Sequence, residues 1–271
     1  MKDKIVLITG GSSGIGKACA ETFGKAGAKV VITGRKQEAL NEVQLYLETK
    51  GITCLSIRAD VAVEADCIEV VEKTIEKFGK IDILINNAGI SMRALFEDCD
   101  ISVVRQLMET NFFGTVYMTK YALPYIISQK GSVIGISSIA GYRGLPARSA
   151  YSASKFAMNG FLEALRTEML PKNVHILTAC PGFTASNIRN TALAKDGTPQ
   201  GESPRDESKM MSAEKVAEHI LRATYARKAT LVLTRQGKLT VFLNKWLPKK
   251  WIDKLVFNAL AKEDNSPLQK A

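Results

Sequence analysis

Tyr151 and Lys155, four residues apart in the run YSASK (151–155), form a pair suited to moving a proton. Four residues is just over one helical turn, so both side chains fall on one face. A phenol titrates near pH 10, too high for acid–base work at neutral pH, and a nearby ammonium lowers that value by favouring the phenolate. Bringing it close to neutrality takes about 4 kcal/mol of differential stabilisation. Tyrosine and lysine at this spacing are ordinary on any helix, so their surroundings decide whether they act together.

A second chemically suggestive run lies near the N-terminus. The apolar segment IVLIT (5–9) leads directly into TGGSSGIG (9–16) and then a helical pattern. Glycines let the backbone turn tightly and approach a pyrophosphate, whose charge sits on the N–H groups at the helix start. Gly10, Ser12, Ser13, Gly14, Ile15 and Gly16 are expected to form that cradle. Residues 11–17 also match GxxxxGK, the opening of a nucleoside triphosphate loop. That loop needs Ser or Thr next to hold Mg²⁺, and the residue is Ala18. The end of the second apolar run, KVVIT (29–33), should meet the adenosine ribose. An acid there would bind the free 2′-hydroxyl of NAD. This chain instead places Arg35 and Lys36 after Gly34, with no carboxylate before Glu38. The planar fork of arginine suits a phosphate, so NADP (NADPH) is the expected cofactor.

These runs sit in a regular alternation. Strands are predicted at 5–9, 29–33, 53–57, 81–86, 132–137, 174–180 and 229–234, and helices at 14–27, 36–50, 63–78, 101–129, 152–170 and 212–227. Strand and helix in alternation predict an α/β fold, a doubly wound parallel sheet of Rossmann type with seven strands in a single domain. The strands are nearly continuously apolar, as strands covered on both faces must be. One segment breaks the rhythm: 187–211 is polar, with two prolines and two glycines, and reads as a long functional loop.

Length and composition agree with one globular domain: 271 residues, 46% hydrophobic and 24% charged. Five scattered cysteines with no CxxC pair argue against a disulfide framework or a zinc site. His175 and His219 lack metal-ligand spacing and read as structural. The apolar run at 5–8 is too short for a signal-peptide core or a spanning helix, which predicts a cytoplasmic protein. The net charge of +10 would suit nucleic acid, an anionic membrane or a phosphorylated ligand, and its placement must choose among them.

Together the motifs are specific. TGGSSGIG (9–16), Asp60-Val61, NNAG (86–89), Asn111, Ser138, YSASK (151–155) and Pro181-Gly182 occur in the order and spacing of the short-chain dehydrogenase/reductase family, which the chain resembles over 4–234. The resemblance implies that Tyr151 donates a proton to a substrate oxygen and Ser138, thirteen residues earlier, polarises the carbonyl. It implies that Lys155 also bonds the nicotinamide ribose, and that Asn111 holds a water linking Lys155 to solvent. Cofactor contacts carry over to Asp60 and Val61 near adenine, to Asn87, Ala88 and Gly89 near the ribose, and to Pro181 and Gly182 beside the nicotinamide. The family often has PGxVxT there, whereas this chain reads PGFTAS, with Thr184 in place of a small apolar residue and Ser186 keeping a hydroxyl. Homo-oligomers, dimers or tetramers, through 101–129 and 152–170 are usual in the family.

The division expected is a catalytic domain at 1–237 and a basic amphipathic extension at 238–271. Leu239, Phe242, Leu243, Trp246 and Leu247 share one helical face, as do Trp251, Ile252, Leu255, Val256, Ala259 and Leu260 after Pro248. Over 238–262, six lysines (Lys238, Lys245, Lys249, Lys250, Lys254, Lys262) stand against one acid, Asp253, which concentrates half the net charge of +10 in that stretch. An anionic membrane surface meeting 238–262, a second subunit and the protein's own body are the candidate partners of those faces. No nucleic-acid motif is present. The region 138–170 and the tail look most like the family branch with membrane-associated hydroxysteroid dehydrogenases and ketosphinganine reductases, which implies a small hydrophobic carbonyl substrate under a lid bearing Ile188, Leu193, Met210 and Met211. A 3-oxoacyl substrate, oxidation of an alcohol with NADP⁺, and a non-catalytic NADP-binding regulator are the alternatives, the last opposed by the intact Asn111, Ser138, Tyr151 and Lys155.

Overall fold

The computed structural model describes residues 1–182, 184, 188–201 and 210–269. Its strands are β1 (Ile5–Thr9), β2 (Lys29–Gly34), β3 (Cys54–Arg58), β4 (Ile83–Asn86), β5 (Ser132–Ile136), β6 (His175–Cys180) and β7 (Thr230–Val232). They form one parallel sheet in the order β3-β2-β1-β4-β5-β6-β7. Every residue of β1, β4, β5 and β6 is buried, so the continuous apolar runs follow from cover on both faces. Alternating side chains feed two cores. Ile8, Ile32 and Ile85 pack with Phe23 of α1 (Gly14–Lys25), Leu40 of α2 (Gln37–Glu48) and Val216 of α7 (Ala213–Tyr225). Leu7, Val31 and Leu84 pack with Val70 of α3 (Glu64–Phe78), Met118 of α5 (Gly114–Ser128) and Leu162 of α6 (Ser149–Glu168).

The strand order reverses between β1 and β4, which opens a crevice at their carboxyl ends, the usual ligand site of such sheets. The loops leaving those two strands are TGGSSGIG and NNAG.

The stretch 101–129 differs from the single helix its periodicity predicts. It is α4 (Ile101–Met108), a π-helical turn (Glu109–Phe113) and α5. Val103, Leu107, Asn111, Thr115 and Thr119 are all buried, a spacing of four that drifts by about 40° per step on a 3.6-residue helix. One wider turn takes up the drift and keeps Asn111 pointing inward.

The tail also departs from expectation. Helix α8 (Arg235–Trp246) begins three residues before 238, because Thr234 caps it, its Oγ1 accepting from Gly237 N at 3.0 Å. Helix α9 (Lys249–Ala261) follows Pro248. The predicted apolar stripes do not pack as units. On α9, Ile252 and Leu260 are buried while Trp251 and Leu255 are exposed; on α8, Gly237 is buried and Leu239, Phe242 and Trp246 are exposed. The lid expectation changes too. Leu193 is buried beside Met92, Val103 and Leu107, and Met211 pairs with Thr184 and packs on the core of α1 and α7. Ile188 and Met210 are half-buried.

Candidate active site

The glycine loop is shaped by close backbone approach. Gly10 has φ +65°, and a Cβ on it would lie 2.9 Å from Ala88 Cα; a Cβ on Gly16 would lie 2.2 Å from Gly10 O. Asn87 ties the two crevice loops together, donating from Nδ2 to Thr9 O at 2.9 Å and Gly10 O at 3.0 Å. Thr9 Oγ1 accepts from the amides of Asn87 and Ala88, both at 2.9 Å. Asn87, expected beside a ribose, thus spends its amide on fixing the loop. Ser13 starts α1 in an extended conformation and its side chain makes no capping bond. The first-turn N–H groups, with Gly14 and Ile15 half-buried at the surface, therefore have no side-chain cap and suit an anion.

Arg35 and Lys36 are exposed where β2 ends, and a Cβ on Gly34 would lie 3.5 Å from Ser12 Oγ. Gly34 pairs in register with Arg58, so the neighbouring strand adds a second exposed arginine at the same edge, one that motif reading missed. Asp60 Oδ1 accepts from Ala62 N at 3.0 Å. Val61 is buried against Gly114, where a Cβ would lie 2.7 Å from Val61 Cγ2.

At the end of β5 the two serines part. Ser137 is buried and donates to Asn159 Oδ1 at 2.5 Å. Ser138 is half-buried, accepts from Ala140 N at 3.2 Å and stands close enough to the Tyr151 hydroxyl to favour its phenolate. Burial raises the Tyr151 phenol, outweighing the lowering effects of Ser138 and of the Arg148 and Arg189 charges. Lys155 is 3% exposed, and burial brings its ammonium down to about 8. Its Nζ donates to Ile136 O at 2.9 Å, meets Met158 Sδ at 3.9 Å and lies 5.9 Å from the Tyr151 ring centre. The phenol depression expected from Lys155 is thus corrected: the ammonium is turned to a backbone carbonyl, and desolvation governs the phenol.

Asn111 is fully buried in the π turn. Its Nδ2 donates to Ile90 O and Ser154 Oγ, both at 2.9 Å, and its Oδ1 accepts from Ile90 N at 2.8 Å. Both amide N–H bonds are engaged, so this side chain positions the loop after β4 rather than offering a donor to water. Gly89 lies over it: a Cβ there would be 3.1 Å from Asn111 Oδ1 and 3.5 Å from Lys155 Nζ. Motif reading missed Ser154 and Asn159, although the first lies inside YSASK and the second one turn beyond Lys155.

Past β6, Pro181 is buried and Gly182 half-buried, with Thr234 Oγ1 2.3 Å from where a Gly182 Cβ would stand. Thr184 is buried and donates to Gly182 O at 3.2 Å, and Arg189 donates to Thr184 O at 2.7 Å. Ser186 lies outside the described residues. Beside Tyr151 is an apolar cluster of Ile90, Met92, Ala94, Val103, Leu107, Ala150 and Leu193. All five cysteines are free thiols, and burial holds Cys180 up at about 12, so it remains a neutral thiol. His175 is fixed by Ser132 Oγ at 3.1 Å and Lys228 O at 2.8 Å.

Known proteins resemble this chain in sequence and in fold. Dehydrogenase/reductase SDR family member 7B of Danio rerio is 35% identical over 247 residues, 89% of this chain and 80% of that protein. Dehydrogenase/reductase SDR family protein 7-like of Dictyostelium discoideum is 35% identical over 255 residues, 92% of this chain and 79% of that one. Among solved structures, a short-chain dehydrogenase/reductase from Burkholderia phymatum in complex with NAD superposes with TM-score 0.81 at 24% identity, covering 89% of this chain and 92% of the other. The apo form of LigD from Sphingobium sp. strain SYK-6 does so with TM-score 0.79 at 22% identity, covering 93% and 97%. A family model described as short chain dehydrogenase matches residues 4–197. The chain belongs to the short-chain dehydrogenase/reductase family of oxidoreductases.

Proposed function

We propose that this chain is an NADPH-dependent reductase that turns a small hydrophobic ketone into an alcohol. The observation that carries the reading is Ser138 set beside the Tyr151 hydroxyl at the crevice mouth, with the Lys155 ammonium buried one turn behind the phenol. The residues present fit a nicotinamide dinucleotide. The α1 N-terminus has no side-chain cap, which suits a pyrophosphate. Arg35 and Lys36, with Arg58 beside them, suit a 2′-phosphate. Of the three N–H bonds of Lys155, one finds the Ile136 carbonyl and another only a thioether sulfur, so the amine retains donor capacity for a ribose hydroxyl. Asp60, Val61, Ala88, Gly89, Pro181 and Gly182 line the remainder of the crevice in this reading. When bound, the cofactor supplies the hydride.

The chain's residues supply orientation and a proton. Burial keeps the Tyr151 phenol protonated at neutral pH, the state a donor to a carbonyl oxygen needs. Ser138 Oγ stands beside that hydroxyl, so an oxygen held by both is polarised and protonated at one place. The Lys155 charge favours the phenolate left after donation, and Asn111 fixes Ile90 and Ser154 around the pair. The cluster of Ile90, Met92, Ala94 and Leu193 favours an apolar substrate body. Association into a homo-oligomer through α5 and α6 belongs to the same reading, supported by Phe113 exposed just before α5, Tyr125 on α5 and Phe156 on α6.

The test is NADPH oxidation against long-chain 3-ketones, steroids and aromatic aldehydes, with Tyr151→Phe as control. Turnover of a hydrophobic ketone, abolished in the control, is expected. Tight NADPH binding with no turnover across the panel would overturn the reductase reading.

A further inference from the structure

Helix α8 meets the protein through its small and polar side. Gly237 packs on Ile139, where a Cβ would lie 2.6 Å from Ile139 Cδ1, and Asn244 donates to Tyr142 O at 2.9 Å. The opposite side carries Leu239, Phe242 and Trp246, which are 55%, 60% and 68% exposed. An amphipathic helix that only packed on its own body would be turned the other way. Helix α9 continues the surface with Trp251, Leu255 and Phe257 exposed, while Ile252 and Leu260 anchor it inward.

Charge names the occupant. Arg235, Lys238, Lys245, Lys249, Lys250, Lys254 and Lys262 are all exposed on or just beyond the two helices. The one acid within the two helices, Asp253, is paired with Arg143. Two copies of such a face would repel each other, whereas large apolar side chains flanked by cations match an anionic bilayer surface. Tryptophan favours the headgroup boundary, and the chain's two tryptophans, Trp246 and Trp251, both lie here. Among the described residues no helix is long and apolar enough to cross a membrane.

We propose that the outer faces of α8 and α9 form a docking surface for anionic lipid, lying in the plane of the membrane. Side-chain contacts join the surface to the crevice mouth. Arg143 bonds to Asn244 and Asp253, and Arg148 Nη2 lies 2.8 Å from Glu263 Oε2. Arg148 stands three residues before Tyr151, and Ile139 follows Ser138. Docking therefore brings the mouth of the crevice to a bilayer. The proposal concerns binding alone and stands apart from the reductase reading.

The two tryptophans make the test direct. The full chain, without cofactor, is mixed with vesicles of phosphatidylcholine alone and of phosphatidylcholine with phosphatidylserine. With phosphatidylserine present, tryptophan emission is expected to move to shorter wavelength, the protein to float with the vesicles, and both effects to fade at high salt. Joint reversal, Lys249→Glu with Lys250→Glu, is expected to lower partitioning by at least about tenfold at unchanged thermal midpoint. No emission shift and no flotation with phosphatidylserine overturns the proposal. Binding indifferent to phosphatidylserine and salt also overturns it, as does tryptophan emission already shielded from iodide in vesicle-free protein, which would show the face covered by a second copy.

Discussion

The Lys155 ammonium lies 5.9 Å from the centre of the Tyr151 ring while donating to the Ile136 carbonyl at 2.9 Å. It thus supplies charge near the phenol without holding its oxygen, and burial keeps the phenol protonated. Tyr151→Phe removes one oxygen and leaves the packing. Turnover is expected to fall by about three orders of magnitude, with NADPH binding, read by quenching, nearly unchanged. Parent-like turnover in this variant would remove the proton-donor role.

Lys155 also sets a pH dependence of stability. Its folded value, about 8, lies below the ordinary lysine value of 10.5, so the fold disfavours the charged form. The resulting cost, on the order of 3 kcal/mol, is fully present below pH 8. It disappears as pH rises toward 10.5, because the unfolded chain then holds more protons than the folded one. Lys155→Met is expected to be inactive yet more stable than the parent in urea at pH 7, with the gap closing toward pH 10. A gap independent of pH would show that burial does not strain this amine.

Ser137 and Ser138 separate packing from chemistry. Ser138→Ala is expected to lower kcat by about a hundredfold while leaving the urea midpoint alone. Ser137→Ala removes a donor buried against Asn159 and is expected to cost about 1 kcal/mol of stability, with a much smaller effect on kcat. Equal kinetic losses in the two variants would contradict this division.

Much of this arrangement was legible. Continuous apolar runs located the strands because β1, β4, β5 and β6 are buried on both faces, period-3.6 patterns located helices between them, and the motifs fell on the carboxyl edge where β1 and β4 diverge. What escaped were choices between partners that one sequence does not rank. Asn111 reads as a helical residue, and only the drift of a four-residue burial spacing shows why the helix widens there. Lys155 has an acceptor in the Ile136 carbonyl, and backbone acceptors leave no trace in residue types. The tail stripes were visible, but which side faces water depended on Gly237 and Asn244 finding Ile139 and the Tyr142 carbonyl.

Cofactor choice is expected to turn on the edge formed by β2 and β3. Arg35→Asp places a carboxylate where the 2′-phosphate would lie and is expected to raise KM for NADPH at least about tenfold, shifting preference toward NADH. Arg58→Ala, on the strand paired with Gly34, is expected to give a smaller increase in the same direction. Unchanged KM values for both cofactors in Arg35→Asp would end the NADP assignment.

Glu263 and Asp253 both bind arginines, but burial separates their worth. The Glu263 side chain is 3% exposed between Arg148 at 2.8 Å and Arg93 at 3.9 Å, whereas that of Asp253 is 60% exposed. Glu263→Gln removes the carboxylate standing between two guanidinium groups and is expected to cost about 3 kcal/mol or more of stability. Asp253→Asn breaks a solvent-screened pair and is expected to cost no more than about 1 kcal/mol. Urea unfolding of the two variants checks the contrast, and a Glu263→Gln loss as small as that of Asp253→Asn would show that the chain after α9 is not fastened at this carboxylate.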